Sequence, residues 1–366
     1  MIDTAMMQTL RTRRSVYPEA GRWLPLLVAM IALGWTQPLH AQTTGSPDQG
    51  TITKVGTTAA QFIKLGVGAR AIGMGGTFVA EASDLSALYW NPAGLGRLPG
   101  SAVQLSYTQY LADINYNYAA FGTNLGNMGT IALSLIYLDS GEMQVRTTRQ
   151  PEGTGEEFSV QSFALQGSYA RNLTDRFSIG TTIKYIQETV WHSSASAFAF
   201  DIGTLFTTPF DRLKLGANMS NFGPKMQLSG RDILFSQDPS TDGGTVEIVN
   251  AEYLLDQHEL PLIFRIGLAF DAVRTVDHRI LLSTDAAHPN DNSQYINMGA
   301  EYSFRDLVFI RGGYRDLFEE DGEESFTVGG GLNLRIDRSL RASIDYAYAD
   351  FGRLESTHWF TLNLAF

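Results

Sequence analysis

The chain of 366 residues contains no cysteine, so disulfides contribute nothing to its stability, and a chain of this length can bury a sufficient core without them. Long apolar runs are also missing. After residue 41 no stretch of about 18 uninterrupted apolar residues occurs, which excludes a polytopic helical membrane protein. A membrane β-barrel is not excluded, because its strands alternate lipid-facing and lumen-facing residues and therefore keep the mean hydropathy near zero, here −0.08.

Positive charge is scarce, with 27 Lys and Arg against 38 Asp and Glu. An acidic chain argues against nucleic acid as a partner. The histidines after residue 41 stand singly, without the spacing of metal ligands, so we predict no metal site, no cofactor and no catalytic residue. One alternative is a lipid hydrolase that uses Ser283 or Ser343 with His278 or His358 on barrel strands.

The amino terminus has the features of an export signal. Four arginines precede an apolar run from Trp23 to Trp35, and the small residue Ala41 follows. This run is too short to cross a bilayer as a helix, which needs about 20 residues. We therefore expect residues 1–41 to be a signal peptide that is cleaved near Ala41.

Two regions follow the signal. Residues 42–100 contain a polar spacer and a stretch rich in glycine and alanine, whereas residues 101–366 alternate apolar and polar residues with a period of two. In the last run, Phe360, Leu362 and Leu364 share one face and Thr361 and Asn363 the other. Fourteen such runs begin near Ser101, Asn115, Met128, Phe158, Arg176, Ser196, Arg212, Pro261, His278, Ser293, Leu307, Glu324, Ser339 and Ser356.

This pattern predicts an all-β fold, a transmembrane antiparallel β-barrel of about 14 strands in the outer membrane of a Gram-negative cell. Short connections follow even-numbered strands and the longest ones follow odd-numbered strands, as in barrels with tight periplasmic turns and longer external loops. A soluble β-sandwich or propeller is the alternative. In a barrel, the inward face would carry charges that pair across the lumen: Lys184, Asp201, Lys214, Arg265, Arg279, Asp285, Glu301, Arg311, Arg335, Arg341 and Asp345.

Fourteen strands enclose a space that is either open or plugged, and residues 51–100 are the natural plug. Their glycines permit positive φ angles and close contact with a wall. Asp84 is expected to cap a short helix that ends at Asn91, since Pro92 pushes the preceding residue out of the α region. Arg70 is expected to bind carbonyl or carboxylate groups of the plug or wall. A dinucleotide-binding loop is disfavoured, because no β-α-β unit surrounds these glycines.

Two blocks in this region carry a family resemblance: Gly68-Ala69-Arg70-Ala71-Ile72-Gly73-Met74-Gly75-Gly76 and Tyr89-Trp90-Asn91-Pro92-Ala93-Gly94-Leu95. Together they resemble the amino-terminal hatch of FadL-type outer-membrane proteins, in particular the PorV/PorQ family. The terminal strand ending at Phe366 resembles the signal read by the outer-membrane insertion machinery. The resemblance implies ligand or partner contacts at Arg70, Gly73, Gly75, Gly76, Asp84, Asn91, Pro92 and Gly94.

The resemblance implies two alternative functions. A PorV-like protein would be a non-enzymatic component of the type IX secretion system that binds or shuttles secreted cargo proteins at the cell surface. A FadL-like protein would transport long-chain fatty acids or other hydrophobic small molecules. Outer-membrane lipid surrounds the protein in both cases, and the partners are cargo proteins and other secretion components in the first and a hydrophobic ligand in the second.

Overall fold

A computed structural model describes residues 55–210, 212–237, 248–319 and 325–366. The predicted signal peptide, its cleavage site and the polar spacer lie outside the described residues. The centres of two loops, at residues 238–247 and 320–324, lie outside them as well.

The described chain is dominated by fourteen strands of nine to fifteen residues, joined in one antiparallel sheet. Each begins within three residues of its predicted start, so the predicted fold class is confirmed. The sheet closes on itself because β1 pairs with β14, with Leu105 opposite Leu362. The strands are β1 Ser101–Gln109, β2 Asn115–Asn124, β3 Thr130–Asp139, β4 Val160–Asn172, β5 Phe177–Val190, β6 Ser193–Thr207, β7 Leu213–Phe222, β8 Ile263–Arg274, β9 His278–Pro289, β10 Tyr295–Phe304, β11 Val308–Leu317, β12 Phe326–Arg335, β13 Arg341–Ala349 and β14 Thr357–Ala365.

Burial along each strand follows the predicted period of two. In β1, Gln104 and Ser106 are buried, while Leu105 and Tyr107 are about half exposed. The same alternation gives the barrel an outer surface of large apolar side chains and an inner surface of small, polar and charged ones. Such an outer band is what a membrane-spanning barrel presents to lipid.

The connections differ between the two ends of the barrel. Short turns at one end of the barrel are formed by residues 125–129, 173–176, 275–277, 305–307 and 336–340 and by the described residues 208–210 and 212. The longest connections, residues 140–159 and 223–262, follow β3 and β7, and their described parts lie at the opposite end and contain small strands of their own. The pairs are Met143–Gln144 with Glu157–Phe158 and Leu234–Gln237 with Val249–Glu252, and Ser229–Gly230 adds to β6. We call the end with short turns the periplasmic rim and the other the external rim.

Residues 55–100, here called the hatch segment, precede β1. They form a 3₁₀ turn at Gln61–Lys64, helix α1 at Ala69–Gly73, helix α2 at Ala87–Trp90 and a 3₁₀ turn at Pro92–Arg97. Three further 3₁₀ turns, Leu111–Asp113, Gly126–Met128 and Arg231–Ile233, lie in connections. No helix among the described residues is both long and apolar enough to cross a membrane.

Candidate functional site

The hatch segment contacts inward-facing residues around most of the barrel. The Ala69 N–H donates to Thr361 Oγ1 on β14 over 2.8 Å, and the Val79 N–H donates to Asp285 on β9 over 3.0 Å. On the other side, the Tyr118 hydroxyl of β2 donates to the Leu85 carbonyl over 2.8 Å. Most of the segment's apolar side chains are buried. The hatch segment is therefore joined to the wall by polar contacts on several strands and buries most of its own apolar surface.

Asn91 connects the hatch segment to itself and to the wall. Its Nδ2 donates to the carbonyls of Val79 over 2.7 Å and Thr204 over 2.9 Å, while its Oδ1 accepts from the Ala93 N–H over 3.1 Å. The extended backbone of Asn91 ends α2, and Pro92 begins the next turn. Both the nitrogen and the oxygen of this buried amide side chain therefore have hydrogen-bond partners, as is usual for buried polar groups.

Glycines of the wall make room for the hatch segment. A methyl group at Gly180 or Gly203 would overlap Pro92 or Asn91, and one at Gly313 would overlap Gly75. We call these positions the wall-glycine belt. Its members are Gly122, Gly180, Gly203, Gly216, Gly267, Gly299, Gly313 and Gly329.

The hatch glycines complete this close contact. Gly73 faces Gly329, and the Gly75 N–H donates to Thr327 Oγ1 over 3.0 Å. Gly75 and Gly76 have φ angles of 67° and 74°, which favour glycine. Gly94 packs against the Ala82 backbone within the segment itself. The hatch glycines were predicted from the sequence, but the wall-glycine belt was not. Glycine at inward-facing strand positions is the sequence feature that marks the belt.

Arg70 lies in an ion cluster between the hatch segment and the wall. Its Nε is 3.0 Å from Glu301 Oε2, and its Nη2 is 3.3 Å from Glu81 Oε1. Glu81 also binds Lys214 Nζ at 2.5 Å and Arg279 Nη2 at 3.2 Å. Acids and cations are present in equal number in this hatch–wall ion cluster, which consists of Arg70, Glu81, Lys214, Asp271, Arg279, Glu301, Arg311 and Asp345.

The surroundings of the two hatch members of this cluster keep both charged. Burial disfavours the ionised form of Glu81, but the charges of Lys214, Arg70 and Arg279 outweigh it and lower the pKa of the carboxyl. Burial likewise disfavours the charged form of Arg70, and Glu301 and Glu81 outweigh it and raise the pKa of the guanidinium. The buried charges of the cluster therefore stabilise one another, and removing one of them would leave its partners without a counter-charge.

Asp84 lies beside this cluster and differs from its predicted role. The helix begins at Ala87, and its N-cap residue is Ser86. The Asp84 carboxylate accepts from the Ser86 N–H over 2.9 Å and from the Ser86 hydroxyl over 2.5 Å, and it lies 4.0 Å from Arg70. Asp84 thus orients the residue before the helix and does not cap the helix donors directly.

Among the other predicted lumenal charges, Asp285 accepts from the Val79 N–H as described above, and the remaining five fall into three groups. Lys184 Nζ lies 2.7 Å from Asp201 Oδ2, both fully buried. Arg265 lies over the ring of Trp90, with the guanidinium carbon 5.7 Å from the ring centre. Arg335 and Arg341 are exposed at the periplasmic rim and directly opposite each other in register, and neither forms an ion pair with a described residue.

Phe366 is half exposed at the periplasmic rim. Its N–H donates to the Ser101 carbonyl over 2.8 Å, and the Ser101 N–H donates to the Phe366 carbonyl over 2.9 Å. The last residue therefore extends the seam between β14 and β1 by one further pair.

Neither serine proposed for a lipid hydrolase meets a histidine. The Ser283 hydroxyl shares a hydrogen bond with Thr77, and Ser343 accepts from Asn363. His278 and His358 instead contact the hydroxyls of Tyr302 and Tyr346. No metal-binding group of acids and histidines occurs among the residues described.

Comparison with protein families matches residues 48–234 to the family described as type IX secretion system protein PorV. No functionally curated protein matches the sequence.

Solved structures are similar to this chain at low identity. A FadL homologue of Pseudomonas aeruginosa is 11% identical, covers 82% of this chain and 98% of its own, and has a TM-score of 0.49. The monoaromatic hydrocarbon channel CymD is 12% identical, with 82% and 98% covered and a TM-score of 0.52. The toluene transporter TodX of Pseudomonas putida is 13% identical, with 82% and 96% covered and a TM-score of 0.51.

Proposed function

Since the chain belongs to the PorV family of type IX secretion system proteins, we propose that it is a non-enzymatic secretion component that binds secreted cargo proteins at the cell surface. The chain is an outer-membrane barrel of the PorV and FadL type. The observation that carries the proposal is the family match over residues 48–234, which spans the hatch segment and the first seven strands.

The lumen supports a protein partner over a small apolar passenger. In this proposal the hatch segment acts as a plug, held by the wall-glycine belt and the hatch–wall ion cluster. Moving an apolar molecule past buried, paired charges costs free energy, since those charges lose partners or the molecule meets polar surface. A closed lumen leaves the external rim as the surface on which a large partner is recognised.

The external rim offers apolar anchors for such a partner. Leu254 is 93% exposed, and beside it the ring centres of Phe235 and Tyr253 lie 4.6 Å apart with the rings tilted by 32°. Trp191, with its ring centre 6.2 Å from that of Phe158, stands on the neighbouring β5–β6 turn. Aromatic and large apolar side chains dominate the energetics of protein interfaces, so cargo is expected to dock here.

Affinity capture of the tagged barrel from its own outer membrane tests this function. Secreted proteins that share a carboxyl-terminal domain are expected to co-purify. Leu254→Asp is expected to reduce their recovery by about tenfold, which corresponds to about 1.4 kcal/mol of lost interface energy. Val276→Asp is the matched control, because Val276 is 96% exposed at the periplasmic rim.

Two results contradict the proposal. One is capture of the barrel with lipid alone and without secreted proteins. The other is equal loss of cargo in Leu254→Asp and Val276→Asp, which would mean that the external rim is not the docking surface.

Transport of hydrophobic small molecules is the second candidate, and one observation favours it. Inward-facing residues of the external half of the barrel, including Tyr116, Ile136, Ile186 and Trp359, form a buried apolar cluster that an apolar ligand would match. Deletion of the protein would then reduce uptake of labelled long-chain fatty acid. Unchanged uptake contradicts this candidate and leaves the secretion role intact.

A further inference from the structure

The first described residues lie at the external rim, although the hatch segment leaves the lumen at the opposite end. The Ala59 N–H donates to the Glu259 carbonyl over 2.9 Å, and Thr57 O lies 3.2 Å from His258 Nδ1, both in the long loop between β7 and β8. At the other end of the segment, Gly96 O accepts from Asn172 at the periplasmic end of β4. The chain therefore runs through the whole barrel before β1 begins.

Residues 55–65, here called the arm, are held at the external rim by one carboxylate. Asp291 lies in the short connection between β9 and β10, and its side chain is almost fully buried. Its oxygens accept from Thr58 Oγ1 over 2.7 Å, Gln61 Nε2 over 3.1 Å and Lys64 Nζ over 3.0 Å. Three donors from one short stretch converge on this group, so Asp291 is the main polar anchor of the arm.

A second polar contact and an apolar one accompany this anchor. The Ala60 N–H donates to Glu188 Oε2 near the external end of β5 over 3.0 Å. Phe62 and Ile63 are 5% and 2% exposed and belong to the same buried apolar cluster as Ile136 and Trp359 of the wall. The arm thus covers apolar lumenal surface that would otherwise face the outside.

We propose that the arm is a strap that closes the external end of the lumen, is anchored on Asp291, and presents Val55 to the exterior of the cell. Release of the strap would expose the apolar cluster of the external half. The strap depends on the contacts between the arm and the barrel and does not depend on the secretion role. Val55 is 58% exposed, as a residue at a solvent-facing rim should be.

The absence of cysteine allows a direct test of sidedness with single-cysteine variants. Val55→Cys in the full-length protein is expected to react, in intact cells, with a maleimide polymer too large to cross the outer membrane. Leu254→Cys at the external rim is the positive control, and Leu173→Cys, 53% exposed in a periplasmic turn, is the negative control. Labelling of Val55→Cys only after permeabilisation, in the manner of Leu173→Cys, overturns the proposal.

A buried reporter tests the anchor. In Ile63→Cys the thiol is expected to react slowly, and adding Asp291→Asn is expected to speed its labelling by about tenfold, because a charge-assisted anchor is lost. Glu259→Gln is the matched control, since its side chain makes only a surface ion pair with Lys225 and its backbone bond to the arm is kept.

A second variant guards against misfolding of Asp291→Asn. Lys64→Gln removes the charged donor and leaves the carboxylate in place, and it is expected to speed labelling in the same direction. Folded barrel is verified for each variant by its heat-dependent electrophoretic mobility. If Asp291→Asn and Lys64→Gln both fold and both leave the labelling rate of Ile63→Cys at the parent value, Asp291 does not anchor a strap and the proposal fails.

Discussion

Glycine occurs on both sides of the contact between the hatch segment and the wall. Gly73 lies against Gly329, and Gly75 lies against Gly313, so the two backbones meet without side chains between them. A contact of this kind has no flexible atoms that can move aside, and even one added methyl group must displace main chain. Single glycines of the wall therefore control how well the hatch segment fits.

Two neighbouring glycines of β11, Gly312 and Gly313, allow a test of how tightly the wall fits the hatch segment. Gly313→Ala is expected to destabilise the folded barrel by about 2–3 kcal/mol, because the new methyl group overlaps Gly75 and Met74. Gly312→Ala is the control, since its methyl group would point away from the lumen, with its nearest neighbour 3.9 Å distant. Urea unfolding in detergent micelles measures both. Equal stability of the two variants would contradict the tight contact.

Residue roles were only partly predictable from the sequence. The Asn91-Pro92 break follows from local backbone sterics, and the extended φ of Asn91 agrees with it. The acids around Arg70 could not be named in advance, because Glu301 is 231 positions away and only the closed barrel brings it near. The belt was missed for the same reason.

Strands were predictable because their signal is local. A period of two marks each barrel strand over about ten residues, and the starts agree within three residues. Helix α1 gave no such signal. It spans only Ala69–Gly73, and neither a side-chain cap nor an apolar period marks it, so tertiary contacts with the wall decide its conformation.

The ring of Phe366 is expected to contribute to the stability and insertion of the terminal strand β14. Phe366→Ala is expected to lower the stability of the barrel by about 1–2 kcal/mol and to reduce the amount of folded protein in the outer membrane, since a half-exposed ring at the lipid boundary is lost. Phe366→Tyr keeps the ring and is expected to insert normally. Both variants keep the backbone pair with Ser101. Normal insertion of Phe366→Ala would show that the ring is not the signal.

The molecule as a whole depends on charges shared between the hatch segment and the wall. The pKa of Glu81 is lowered, and so is that of Asp291, where burial is outweighed by bonds from Thr58 and Gln61 and the charge of Lys64. A carboxyl with a lower pKa in the folded than in the unfolded state stabilises the fold above its ordinary pKa. That contribution is lost as the pH falls through the range below the ordinary values of 4.5 and 3.8.

Unfolding in micelles between pH 3 and pH 7 measures this dependence. Glu81→Gln is expected to cost about 3 kcal/mol at pH 7, because it leaves Arg70, Lys214 and Arg279 with one acid fewer. The difference from the unsubstituted protein should shrink as the pH falls below 4.5, the ordinary pKa of the carboxyl, because the unsubstituted protein then begins to lose the stabilisation that the lowered pKa of Glu81 provides. A difference that stays constant over this pH range would contradict the role of its charge.

The path of the hatch segment has a consequence for folding order. It continues directly into β1, and Ala69 bonds to Thr361 of the last strand, 292 positions away. The sheet therefore encloses its own amino-terminal portion, and the seam between β1 and β14 closes against residues of the hatch segment. Contacts of such sequence separation form slowly, so we expect seam closure to be a slow step of assembly. A hatch segment that packs loosely against the wall is expected to delay closure of this seam without altering any strand.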